Sequence, residues 1–382
     1  NVTEPSGAET KYAYDALNRV VSVTDAEGGV TKYEYDALGN SVKITDANGN
    51  TTTAKYDALS RATKVTAANE AADKYEYDAL GRVVKQTTPL GSVLEYAYDS
   101  VGNLTGYKDA EGNVALFSYD LLGNKTKTTD PRGAVTQYSY NPAGLLVKQV
   151  NALDGETAYT YTADGLLTGK TLPNGAKYQY TYDVLDRLTG ISAPEGISRT
   201  YTYDKAGNIV SETDQSDRVT RYAYDVLHRM TAVTNPAGMD TAFGYDIAGN
   251  LTSTVTARGA KTTYTYDLLN RTVASLNPAG LTTEYTYDKV GHPISVTESG
   301  ERTTRYTYDK VYNLTGITDP LGQVTGLTYD LENRVTSVTD PRGNITRYAY
   351  NKNGELISET DRLGNQTGYA YDANGNRTSV TD

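Results

Sequence analysis

"RYTYDKVYNLTGITDPLGQVT", Arg305–Thr325, decides how this chain is read. Its opening "RYTY" alternates polar residues with tyrosine, the period-2 pattern of a half-buried strand. Asp309 to Tyr312 reads as a turn, Leu314–Thr318 ("LTGIT") as a second strand, and Asp319-Pro-Leu-Gly322 as a second turn. The preceding stretch, "EYTYDKVGHPISVTESGERTT" (Glu284–Thr304), has the same grammar. With the second tyrosine as position 1, the pattern recurs from Tyr14 to Tyr371 in 17 steps of 21 residues, none longer or shorter. A period this regular identifies a repeat array. It also excludes an inserted domain or active-site loop, because every connection has a fixed length.

The composition follows the repeat. There are 35 Tyr, two Phe, two Met, no Trp and no Cys. Eighteen tyrosines occupy position 1, and fourteen more lie two residues earlier, at position 20. Only Tyr107, Tyr178 and Tyr312 fall outside this pairing. A length of 382 residues would ordinarily suggest two or three domains. The unbroken period instead predicts one array over 1–382, about 18 repeats in which each unit rests on its neighbours.

Within one unit, positions 18 to 1 read "TxYxY", which puts both tyrosines on one face. The residues between them, such as Ala13, Glu34 and Thr307, belong to a wetter face. Position 2 is Asp in 15 repeats, with Asn141, Thr162 and Asn351 as the exceptions. Position 5 holds 11 Gly, three Asn and one each of Asp, Ser, His and Tyr. Asp suits the first corner of a type I turn, and Gly suits the corner that needs positive φ. Tyr312 is the misfit and predicts a strained or differently built turn. Positions 12 to 15 repeat the chemistry as "DPxG", with eight of the 11 prolines at position 13 of the 18 repeats and Pro5 at the same position of the partial unit before them. Each repeat is therefore one β-hairpin. The chain is expected to be all-β, a continuous sheet of some 36 strands that twists and spirals into a tube or hollow wall.

The copies "YDLLGNKTKTTDPRGAVT" (Tyr119–Thr136) and "YDLENRVTSVTDPRGNIT" (Tyr329–Thr346) resemble the YD, or Rhs, repeat along the whole chain. Relatives include bacterial Rhs and wall-associated toxins, the cocoon parts of insecticidal toxin complexes, and teneurins. The resemblance implies a spiralling β-sheet shell. In many bacterial members the shell encloses a C-terminal toxin domain released by self-cleavage, and in teneurins it belongs to a cell-adhesion ectodomain. This chain departs from the toxin-bearing pattern. Its "DPxG" copies continue as Ala134, Gln323 and Asn344, never with the Leu of the core-ending "DPxGL" segment. Both ends fall inside a repeat, and the expectation is a window of a longer chain.

No residue reads as catalytic, cofactor-binding or metal-binding. His228 and His292 occupy turn positions 5 and 6 and are expected to be solvated turn residues. A recurring Asp at one turn position is better explained by hydrogen bonds to turn backbone than by acid–base chemistry. Calcium is the closest competitor, but "DANGN" at Asp46–Asn50 and Asp372–Asn376 lacks the EF-hand order of ligands. Ten Asn-x-Thr sequons arise at Asn1, Asn50, Asn103, Asn124, Asn250, Asn270, Asn313, Asn344, Asn365 and Asn376, several of them products of the turn grammar. A net charge of −11 and a sequence pI near 4.9 argue against nucleic acid, and no stretch calls for membrane insertion.

The functional expectation is a structural, non-enzymatic protein of the bacterial cell surface or extracellular space. It would form a wall, tube or stalk that can serve in adhesion. The alternative is an Rhs-type shell that encapsulates and delivers a toxin domain lying outside this segment. Expected partners are neighbouring repeats or further copies, with an encapsulated toxin domain or a cell-surface glycan beyond them. No cofactor is expected.

Overall fold

A computed structural model describes residues Asn1–Asp382, and it is a single 37-stranded β-sheet. The only helical element is one 3-10 turn at Pro194–Gly196. The expected all-β hairpin array is what the chain forms. Each repeat supplies two strands. One runs from position 17 to position 1, as in Val30–Tyr35, and the other covers positions 7 to 11, as in Ser41–Thr45. Each strand pairs antiparallel with the next one in sequence, as the registers Ser22↔Lys32 and then Lys32↔Thr45 show.

The pleat sorts the side chains as the alternation predicts. In Val30–Tyr35, Tyr33 and Tyr35 are half-buried, while Lys32 and Glu34 between them are exposed. The exposed face carries cross-strand ion pairs, such as Lys43 with Glu34 at 2.7 Å and Lys85 with Glu76 at 2.7 Å. Such pairs are solvated and add little stability. No large side chain is fully buried anywhere. A sheet of this kind has no second layer to bury its apolar face, so its stability comes from lateral contact between neighbouring hairpins.

The two hairpin ends are built alike. At the first turn, the Gly39 N–H donates to the Asp36 carbonyl at 3.1 Å, and the Asp36 Oδ1 accepts from the Leu38 and Asn40 N–H groups at 3.0 and 2.9 Å. At the second turn, Gly133 donates to the Asp130 carbonyl, and the Asp130 Oδ1 accepts from Arg132 and Ala134. A register shift precedes the first turn in each repeat, as between Ser139 and Tyr140. This is the bulge that a five-residue loop implies. All three exceptions at position 2 do the work of Asp. Asn141 and Asn351 each accept two backbone N–H groups through Oδ1, and Thr162 accepts one through Oγ1. Two second turns depart from the scheme. At Pro194–Gly196 the turn closes as a 3-10 element, with the Ile197 N–H donating to the Pro194 carbonyl and Glu195 at φ 63°. Around Ser299–Glu301 the strands extend to a Glu298↔Arg302 pair, and the loop shortens without changing the 21-residue step.

Position 5 has positive φ in every repeat, from Asn18 at 60° to Gly291 at 105°. Gly123, at φ 83°, has only Asn103 Oδ1 near a would-be Cβ, at 3.9 Å, so space is not the constraint there. Gly123→Val is expected to destabilise the protein by more than ~1 kcal/mol, because a β-branched residue is forced into the left-handed region. A thermal midpoint equal to wild type would refute the assignment. Tyr312 also keeps the ordinary turn, at φ 70° with its N–H donating to the Asp309 carbonyl at 3.1 Å. It is the strained alternative of the two expected, and the turn is not rebuilt.

The chain divides into two compact units. One comprises residues 1–97, 107–114 and 263–382, and the other 98–106 and 115–262.

Candidate functional site

The position-1 tyrosine does more than fill a face. Its hydroxyl donates to the backbone carbonyl of the residue 15 positions earlier, at position 7 of the preceding repeat. Tyr35 bonds Val20 at 2.7 Å, Tyr182 bonds Leu167 at 2.9 Å, and Tyr287 bonds Thr272 at 2.7 Å. Each such tyrosine therefore clamps its own repeat to the one before. The sequence carries a signal for this that the period-2 reading did not use. Position 1 is Tyr in all 18 repeats, whereas position 20 also accepts Phe117, Phe243, Leu327 and Ala54. Position 20 does not need a hydroxyl, and position 1 does.

Position 6 supplies the second part of the clamp. It is Arg in seven repeats and Asn in seven. The Arg19 guanidinium lies 4.7 Å from the ring centroid of Tyr35, its Nε donates to Asp15 Oδ2 at 2.7 Å, and its Nη1 donates to the Asp36 carbonyl at 3.1 Å. Arg187 and Arg271 repeat the arrangement over Tyr203 and Tyr287, at 4.6 and 4.7 Å. One cation thus joins its own turn, the next turn and the next tyrosine ring. Where Asn replaces it, the amide bonds the Asp, as in Asn40 with Asp36 at 2.8 Å, and is too short to reach the next tyrosine ring. The tyrosines form a ladder, but its rungs lie two strands apart, about 9.6 Å, beyond ring-to-ring contact. Arginine fills the gap between rungs.

These contacts shift the titrations. The hydrogen bond from the Arg61 side chain, followed by its backbone N–H, holds Asp57 below the usual carboxylate value. In Asp204 the Asn208 side chain does the same. Burial pushes the Tyr287 and Tyr350 hydroxyls up.

Within the unit of residues 1–97, 107–114 and 263–382, a further set of contacts joins distant repeats. The Leu268 N–H donates to Glu27 Oε1 at 3.0 Å, Lys289 N–H to Asn48 Oδ1 at 3.2 Å, and Lys352 N–H to Glu111 Oε1 at 2.7 Å, each across 241 residues. In all three, the position-14 side chain of a second turn satisfies the position-3 N–H of a first turn twelve repeats on. Asn48 Nδ2 also donates to Asp288 Oδ2 at 2.9 Å, and Thr88 bonds Glu332. A separation of 241 residues is about 11.5 repeats of 21, or roughly 23 strands. The chain thus comes back upon itself turn edge to turn edge.

Tyr312, the misfit, belongs to this seam. Its hydroxyl accepts from Asn50 Nδ2 at 2.8 Å and donates to Asp46 Oδ2. Its ring stacks on His292, with centroids 4.3 Å apart and planes at 17°. The unfavourable φ is held by contacts that only a return of the chain creates. The "DANGN" stretch at Asp46–Asn50 is thereby placed against a tyrosine, and at Asp372–Asn376 the Asn376 amide bonds its own Asp372 at 3.2 Å. His228 is the exposed turn residue expected, with Nδ1 3.1 Å from Asn208 Oδ1. His292 is not. It is half-buried between Tyr308 and Tyr312, with Nδ1 3.3 Å from Asp288 Oδ2. Six sequon asparagines (Asn50, Asn103, Asn124, Asn250, Asn313 and Asn344) are half-buried, and Asn1, Asn270, Asn365 and Asn376 are exposed.

The Teneurin YD-shell family profile matches residues 1–138. The RHS repeat profile matches nine overlapping stretches, the first 140–177 and the last 350–382. No curated protein matches. Solved structures with the same fold include the TcdB2-TccC3 complex, at TM-score 0.78 and 15% identity over 99% of this chain and 25% of that one. The Photorhabdus luminescens Tc holotoxin pore gives TM-score 0.78 and 14% identity over 98% of this chain and 24% of that one. TcdB2-TccC3-Cdc42 gives TM-score 0.75 at 15% identity, over 98% of this chain and 26% of that one. The chain spans about a quarter of the length of these structures. No helix is long and apolar enough to cross a membrane.

Proposed function

The chain belongs to the RHS repeat family, and from that premise we propose that it is a stretch of shell wall: one YD-repeat array over 1–382 that is structural and not catalytic. The proposed setting is extracellular, in a secreted bacterial protein. The shell would enclose a partner domain lying outside this segment, and the toxin-complex neighbours make a toxin the leading candidate for it.

The observation that carries this reading is the seam at 241 residues. A flat stalk gives repeats no reason to meet others twelve units away, and a wall that encloses space does. The second reading, a wall displayed for adhesion, draws its support from the Teneurin YD-shell match over 1–138.

Small-angle X-ray scattering separates an enclosing wall from a stalk. Laid flat, 36 strands at ~4.8 Å would reach about 170 Å. Windings of roughly 23 strands measure only about 110 Å around, so a compact particle with the oscillating profile of a hollow body is expected. A rod-like profile with a maximum dimension near 170 Å would remove the enclosing wall and leave the stalk.

A further inference from the structure

We propose that Asn48 and Asn353 are deamidation sites that make an opening of the seam irreversible. The closed seam holds both side chains out of the reaction, and once they have reacted the seam no longer closes. The inference stands on the seam itself and not on what the wall encloses.

Asn-Gly is the dipeptide that deamidates most readily, because glycine has no Cβ to obstruct its backbone nitrogen. The chain has four: Asn48-Gly49, Asn174-Gly175, Asn353-Gly354 and Asn374-Gly375. The glycine nitrogen attacks the asparagine Cγ, and the side-chain nitrogen leaves as ammonia while a succinimide ring closes. One water then opens the ring at either carbonyl, giving aspartate or isoaspartate. Water enters and ammonia leaves, with no change of oxidation state.

Asn48 and Asn353 bond across the seam from its two opposite edges, and each does so in the same way. Asn48 Nδ2 donates to Asp288 Oδ2 at 2.9 Å, while its Oδ1 accepts from the Lys289 N–H at 3.2 Å. Asn353 Nδ2 donates to Asp109 Oδ2 at 2.8 Å, while its Oδ1 accepts from the Glu111 N–H at 3.1 Å. A carboxamide presents a donor and an acceptor side by side, and an ionised carboxylate presents acceptors alone. Deamidation therefore removes the donor and sets a negative charge against Asp288 or Asp109. Isoaspartate also adds a carbon to the main chain, which shifts the group out of register.

The same contacts delay the reaction. Each amide is held at both of its polar atoms, and each attacking nitrogen is engaged as well. The Gly49 N–H donates to the Asp46 carbonyl at 3.0 Å and the Gly354 N–H to the Asn351 carbonyl at 3.1 Å. Asn174 supplies the comparison. The Gly175 N–H is engaged alike, with the Leu172 carbonyl at 2.9 Å, but the Asn174 side chain bonds within its own turn, its Oδ1 accepting from Ala176 at 3.1 Å. Both seam asparagines are exposed, so water is at hand once the cross-seam bonds part.

Peptide-mapping mass spectrometry after incubation in mildly alkaline buffer tests the first half, on wild type, Asp288→Asn and Asp109→Asn. Asparagine is accepted at both kinds of turn position, as Asn141 and Asn151 show, so the variants keep their turns while facing a donor with a donor. In wild type, Asn174 is expected to deamidate several-fold faster than Asn48 and Asn353. Asp288→Asn should bring Asn48 up to the rate of Asn174, and Asp109→Asn should do so for Asn353. Equal rates at all three sites in wild type, or no rise in either variant, would overturn the protection. The second half is read by bismaleimide crosslinking of Thr88→Cys with Glu332→Cys, a pair that bonds across the seam between the two sites. Adding Asn48→Asp with Asn353→Asp is expected to lower that crosslinking several-fold, and adding Asn174→Asp to leave it unchanged. Undiminished crosslinking with both seam substitutions, or an equal loss with Asn174→Asp, would overturn the irreversible opening.

Discussion

Tyr287→Ala is expected to destabilise the array by ~3 kcal/mol, and to do so locally. Three interactions end at that ring. The hydroxyl loses its bond to the Thr272 carbonyl, the Arg271 guanidinium loses the ring 4.7 Å beneath it, and a half-buried aromatic is replaced by a void. Truncating a large aromatic in a core removes 3–5 kcal/mol, and partial exposure places this site at the low end. Tyr287→Phe keeps the ring and removes only the hydroxyl bond, so about 1 kcal/mol is expected. Hydrogen exchange should show lost protection across Tyr266–Tyr308 and little change elsewhere, because each repeat touches mainly its neighbours. Unaltered protection there, together with the loss of some partner's binding, would mean the tyrosines serve as a binding surface.

Acid should weaken the whole array. Fourteen aspartates, from Asp15 to Asp361, sit below their usual value of 3.8. The causes recur: side-chain hydrogen bonds from Arg or Asn four residues on, at position 6 of the first turn or position 16 of the second, and backbone N–H groups of the turn; Asp288 is held instead by the His292 N–H and by Asn48 across the seam. A carboxylate whose pKa is depressed by folding contributes stability that is fully present above the unfolded value. That stability is lost as pH falls through the folded one. The window therefore lies below pH 4, and the steepest loss should fall there because so many equivalent groups protonate together. Denaturant midpoints taken at pH 7, 5, 4, 3 and 2 check this. A midpoint at pH 3 equal to that at pH 7 would sink it. The repeats carrying Asn141 and Thr162 have no carboxylate at position 2 and none of the depressed aspartates, and exchange protection there should change least; the repeat of Asn351 still has Asp361 in its second turn.

Local chemistry made much of this fold legible from sequence. The 21-residue step, the half-buried tyrosine face and both D-x-x-G turns follow from period-2 alternation and from the few residues that tolerate positive φ. The clamp was readable in principle, since a position that never accepts Phe where its neighbour does must use its hydroxyl. Arg at position 6 was harder to see, because as many repeats put Asn there, which keeps the bond to Asp but not the reach to the next tyrosine ring. The seam could not be read at all. Its register depends on twist accumulated over some 23 strands, and a small change per strand would move it by a whole repeat. Tyr312 shows the limit well: by local rules it is an error of turn chemistry, and its reason lies with Asp46 and Asn50, more than 260 residues away.

The seam is also where the account is most exposed to test. The chain has no cysteine, so paired cysteines report one distance without background. Asn48→Cys with Asp288→Cys places thiols where the side chains now bond at 2.9 Å, and a short bismaleimide should join them within one molecule. Asn48→Cys with Asp267→Cys, one repeat earlier, should stay unlinked under the same conditions. Efficient crosslinking of the first pair alone is the predicted result. Equal or reversed efficiencies, or no intramolecular product from either pair, would contradict a chain that returns upon itself after about 11.5 repeats.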